Sequence, residues 1–78
     1  MELGQVDEAI EEYLEAANDK PNKFTSPIYL MKAGQALEGK GNYAEAVKIY
    51  ERVEKEYPTT NEGRNAEKYK ARAQALVK

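Results

Sequence analysis

A chain of 78 residues has room for one domain with a small core, so its folding margin is expected to be only a few kcal/mol. It contains neither cysteine nor histidine, which excludes a disulfide framework and a thiolate metal site and removes the commonest general base; no enzyme, metal or cofactor is expected. The formal net charge of −2 hides an uneven distribution, since residues 1 to 19 carry seven acids and no base while the remainder carries twelve bases against seven acids.

The first helix is predicted over 6–19. Val6, Ala9, Ile10, Tyr13, Ala16 and Ala17 fall at helical spacing, with acids on the opposite face and concentrated early, where the helix dipole favours them. Asp19-Lys20-Pro21-Asn22 ends it, with Asn18 and Asn22 read as turn residues. Ser26 as cap and Pro27 at the first helical position open a second helix over 27–39. Its inward stripe is Leu30, Ala33, Ala36 and Leu37, and Gly34 and Ala46 are read as the small residues that let neighbouring backbones approach.

Gly39-Lys40-Gly41 is a tight connection, and Asn42 with Glu45 has the spacing of a capping box. The third helix, 43–57, has Tyr43, Ala46, Val47, Tyr50 and Val53 as its buried set, and Pro58 stops it. Thr59, Thr60 or Asn61 caps a fourth helix over 61–77. There Ala66, Tyr69, Ala73 and Leu76 form one stripe, while Arg64, Lys68, Lys70 and Arg72 mostly point elsewhere. Nothing alternates as a strand does, so the fold class is all-α with about four antiparallel helices.

One segment occurs twice. Gly4, Val6, Ala9, Ile10, Tyr13, Ala16 and Pro21 return 37 positions later as Gly41, Tyr43, Ala46, Val47, Tyr50, Val53 and Pro58. Recurrence of small, aromatic and proline positions at fixed spacing means that one packing problem is solved twice. Residues 27 to 58 resemble the tetratricopeptide repeat, a helical hairpin of about 34 residues. Leu30 stands at the family's bulky apolar position and Gly34 on its glycine. Leu37, Tyr43, Ala46, Tyr50 and Pro58 also fall at their usual positions, and Val53 stands where Ala is commoner. Residues 4–21 look like the second half of an earlier repeat, and the offset of 37 implies about three residues inserted between Asn22 and Ser26. Residues 59–78 look like a closing helix. The resemblance implies a right-handed α-solenoid fragment forming a single domain over 1–78. Because the sequence opens partway through a repeat, it is expected to be a piece of a longer protein.

A narrower resemblance is to the C-terminal repeats of Bacteroidetes-type bacterial tetratricopeptide proteins, which carry an N-terminal membrane helix and an envelope-facing repeat domain. It rests on Phe24-Thr25-Ser26-Pro27-Ile28-Tyr29-Leu30 and Tyr57-Pro58-Thr59-Thr60-Asn61-Glu62-Gly63-Arg64. It implies the periplasmic side of a cell envelope, with an anchor upstream of this sequence.

The run Glu8, Glu11, Glu12 and Glu15 lies within one broad helical face. Carboxylates on a single exposed helix stay hydrated and lack a converging second element, so no cation site is expected. The scattered bases and negative overall sign argue against a nucleic-acid partner. No apolar run approaches the roughly 20 residues that span a bilayer, so no direct membrane contact is expected of this segment.

Binding in the tetratricopeptide family generally uses the surface lined by the first helix of each hairpin, which implies Ile28, Met31, Lys32, Gln35 and Glu38 as the partner groove. Met31 and Gln35 stand where members that grip chaperone C-termini carry Lys and Asn, so that activity is not implied. The expected function is a scaffold that binds a protein or peptide; the alternative is a structural segment that only stacks within a larger array or oligomer. A second helix of a hairpin without its first leaves a stripe open, so Val6, Ile10 and Tyr13 are candidates for self-association.

Overall fold

A computed structural model describes residues 3–77, with side chains from residue 5 onward. Four helices follow one another: α1 (Leu3–Asp19), α2 (Ser26–Gly39), α3 (Tyr43–Glu56) and α4 (Asn61–Leu76). None is long and apolar enough to cross a membrane. The ends differ from expectation by one residue at α2, α3 and α4, and α1 begins three residues early. Gly4 accordingly lies inside α1 rather than in a turn like that of Gly41, and its packing lies outside the described side chains. Gly41 differs because α2 ends there.

Each connection has its own chemistry. Across residues 20–25, Asn22 Oδ1 accepts from the backbone N–H groups of Phe24 and Thr25 at 2.8 and 2.9 Å, an Asx turn. Ser26 does not cap α2. Its buried hydroxyl accepts from the Asn22 N–H at 3.0 Å and donates to the Ala17 carbonyl at 2.9 Å, satisfying a last-turn oxygen of α1. Thr25 takes the cap position without a side-chain bond. Asn18 is likewise not a turn residue: it sits in α1 and accepts from the Arg52 guanidinium of α3.

At the end of α2, Gly41 N–H bonds the Glu38 carbonyl at 2.9 Å and Asn42 N–H bonds the Leu37 carbonyl at 2.8 Å. That pair of bonds is a Schellman stop, and it requires the φ of +84° that Gly41 adopts. The capping box does not form. Asn42 occupies the cap position with no side-chain bond, and Glu45 instead pairs with Lys48 at 3.4 Å. Of the three candidates for capping α4, Thr60 does so: its Oγ1 accepts from Gly63 N–H at 3.0 Å and donates to the Tyr57 carbonyl at 2.7 Å.

Neighbouring helices run antiparallel. Asp7 near the start of α1 pairs with Lys40 at the end of α2, and Ala17 near the end of α1 meets Ser26 at the start of α2. Two side-chain ties reach one tier further: Asn18 to Arg52 joins α1 to α3, and Glu38 to Arg72 joins α2 to α4 at 2.6 Å. Both span 34 positions.

The core is centred on α2 and α3. Leu30, Ala33, Ala46, Tyr50 and Val53 are fully buried, joined by Leu37, Val47, Ala66 and Ala73. Gly34 does provide a close approach, but what lies on it is the Tyr50 ring. A Cβ there would stand 2.5 Å from Tyr50 Cε1. Tyr43 and Ala9 are half-buried, and Tyr13 is half-buried and stacked on Tyr29 with ring centroids 6.5 Å apart. Pro21 and Pro58 are exposed: they act on the backbone course of the turns and bury nothing between repeats. Leu76 is 47% exposed, so the stripe of α4 ends at Ala73.

Candidate functional site

α2 and α4 run side by side, and between them lies an open groove of about 280 Å³. From α2 come Ile28, Met31, Lys32 and Gln35; from α4 come Glu62, Asn65 and Tyr69. Helical spacing places the four α2 residues on one face, while Leu30, Ala33 and Leu37 turn into the core. Ile28 is 41% exposed, whereas Met31 is only 7% exposed and forms the groove floor.

Glu38 does not line the groove. Its carboxylate is drawn to Arg72, which also lies 4.8 Å above the Tyr69 ring, so one guanidinium joins α2, α4 and the groove's aromatic wall. The Arg72 guanidinium is held further toward its charged form by its bond to Glu38. Beneath it, Tyr50 and Tyr69 rings meet at 5.8 Å. Burial, and secondarily the Glu38 carboxylate, push the Tyr50 phenol well above its ordinary range. Its hydroxyl and Glu38 Oε1 are both buried without a hydrogen-bond partner among the described residues.

Sequence reasoning missed Glu62, Asn65 and Tyr69, although a signal existed. Ile28 and Glu62, Met31 and Asn65, and Gln35 and Tyr69 are each 34 positions apart, so stepping forward by one repeat length finds the second wall. The groove is smaller and more open than the cavities that enclose small molecules. Its chemistry suits an extended chain. The carboxamides of Gln35 and Asn65 match a peptide backbone, Ile28 and Met31 offer an apolar seat, and Lys32 and Glu62 give the two sides opposite charge.

Of the three residues expected to drive self-association, Ile10 is 7% exposed, already used in the contact of α1 with the rest of the core. Val6 and Tyr13 remain half-buried and line a second depression with Ala9, bordered across α2 by Lys32, Gln35 and Ala36. Lys32 Nζ lies 6.0 Å from the Tyr13 ring centroid. Lys32 and Gln35 thus stand on the ridge between the two depressions.

Residues 29–60 match the family model described as tetratricopeptide repeat. Comparison with curated proteins and with solved structures gives no match. The matched stretch takes in most of α2, the Schellman turn, α3 and the Thr60 cap, and includes the close approach of Gly34 to the Tyr50 ring. Residues 29–60 are thus similar to a tetratricopeptide repeat, within an all-α stack of helices.

Proposed function

We propose that this chain is a non-catalytic protein-interaction scaffold that holds an extended segment of a protein partner in the groove between α2 and α4. Tetratricopeptide repeats generally mediate protein–protein interaction and are typically not catalytic, and the observation that carries the proposal here is the groove itself. It presents apolar, amide and charged groups along one line, and its aromatic wall is held in place by Arg72. A cell-envelope placement is a further part of the proposal. It rests on the likeness of residues 24–30 and 57–64, which the family match does not address.

The test is affinity capture from native cells with this protein as bait, comparing wild type with Ile28→Asp and Asn65→Lys. Both side chains are exposed, so folding is kept, whereas Met31 is too buried to serve. Loss of capture with unchanged circular dichroism supports the groove. Unaltered capture rejects it and favours the structural alternative, in which the repeats only stack.

A further inference from the structure

The depression on α1 is open where its counterpart one tier on is covered. Ala9 and Tyr13 are half-buried, while Ala46 and Tyr50, 37 positions later, are fully buried because α2 lies against α3 there with Gly34 on the Tyr50 ring. The open face of α1 is therefore shaped for a helix. Its stripe of Val6, Ala9 and Tyr13 grades toward the C-terminal end into Ala16 flanked by Glu12, Glu15 and Asp19.

Charge selects the occupant. A second α1 would set acids against acids, since the described part of this helix carries six carboxylates and no base. The outward face of α4 is of the opposite kind. Arg64 and Lys68 lie one turn apart, exposed and paired with no acid among the described residues, and Ala71 and Ala75 continue the same face. Lys70 and Arg72, by contrast, are bound to Glu54 and Glu38 at 2.7 and 2.6 Å. Leu76 and Val77, 47% and 43% exposed, lie off the face of Arg64 and Lys68, beside Gly41, Asn42, Tyr43 and Ala44.

We infer that α4 of one copy docks antiparallel on α1 of the next, so that copies stack head to tail. In that orientation, which every consecutive helix pair of this chain already adopts, Arg64 and Lys68 meet Glu12, Glu15 and Asp19. Ala71 and Ala75 then lie over Val6, Ala9 and Tyr13. The contact is heterologous, so it propagates rather than closing into a dimer.

The experiment is sedimentation velocity and equilibrium on the 78-residue chain from about 10 μM to 1 mM at low and high salt. The expected result is a weight-average mass that rises beyond that of a dimer with concentration and falls with salt. Lys68→Glu and Glu12→Lys should each weaken association about tenfold, and mixing the two variants should restore it, because each supplies the charge the other lacks. A strict monomer at 1 mM overturns the inference. So does a mass that plateaus at a dimer, strengthened by Glu12→Lys alone, which identifies α1 pairing with α1, or a failure of the mixture to recover.

Discussion

Replacing Gly63 by alanine probes a close backbone approach between the start of α4 and the end of α3. A Cβ at this position falls well inside contact distance of the Tyr57 carbonyl oxygen, at 2.8 Å from the carbon that bears it and 3.0 Å from Pro58 Cα. These are backbone atoms, so no rotamer change relieves the clash. The connection must move, and it is already committed: Tyr57 O accepts from both the N–H and the hydroxyl of Thr60, whose Oγ1 in turn receives the Gly63 N–H. Overpacking costs about 1–3 kcal/mol and loss of the cap about 1 kcal/mol, which together give about 2–4 kcal/mol. A chain of this length holds roughly 4–12 kcal/mol in total, so the variant forfeits a large share of its stability and melts at least about 10 °C lower. The assay is urea and thermal unfolding followed by far-ultraviolet circular dichroism, with Gly39→Ala as the paired control. Gly39 is helical and a Cβ there meets nothing within 4 Å, so its replacement should be neutral or stabilise by up to about 1 kcal/mol. If Gly63→Ala loses less than about 0.5 kcal/mol, or no more than the control, the reasoning fails.

Tyr50→Phe removes a buried hydroxyl that lacks a partner, so it should cost little or stabilise slightly at neutral pH. Its effect on pH dependence has a definite sign. The folded state raises the Tyr50 phenol above its ordinary 10.0, so the unfolded chain loses that proton first. The Tyr50 contribution is fully present below about pH 10 and is lost above it by up to about 1.4 kcal/mol per pH unit. Urea midpoints between pH 8 and 11 should fall less steeply for the variant, and equal slopes would contradict the assignment. Ser26→Ala should cost about 1–3 kcal/mol, because it strands the Ala17 carbonyl in the buried junction of α1 and α2 and frees the Asn22 turn. A urea midpoint indistinguishable from wild type would show that the junction does not depend on that hydroxyl.

The helices were legible in the chain because their apolar positions recur at 3.6-residue spacing and their ends carry turn residues. Gly41 in its tight connection, and Thr60 among the three cap candidates, were legible for that reason: each solves a local backbone problem. The misread caps have a common cause. Ser26 and Asn42 have the composition of caps, but Ser26 is drawn across to Ala17, nine positions away, and Asn42 leaves its side chain out of the helix start. Gly63 passed unnoticed, since a glycine within an otherwise polar helix start gives no sign of a carbonyl lying against it. The turn residues of 24–30 and 57–64 also acquire a structural reason. They build the Asx turn, the Ser26 bridge and the Thr60 cap, which a helical stack needs wherever it resides.

Glu38 shows the same division at the groove. Its helical position puts it on the groove face, yet Arg72, 34 residues on, draws its carboxylate away, and the second wall of Glu62, Asn65 and Tyr69 exists only because α4 returns beside α2. By itself the sequence determined the helices, their order and the 37-residue recurrence, since periodicity and turn chemistry are properties of neighbouring residues. Only the tertiary structure decided which face of α1 stays open, what lies on Gly34 and Gly63, and which charges are already spent. Those depend on groups brought together from distant parts of the chain, whose distances no local pattern encodes.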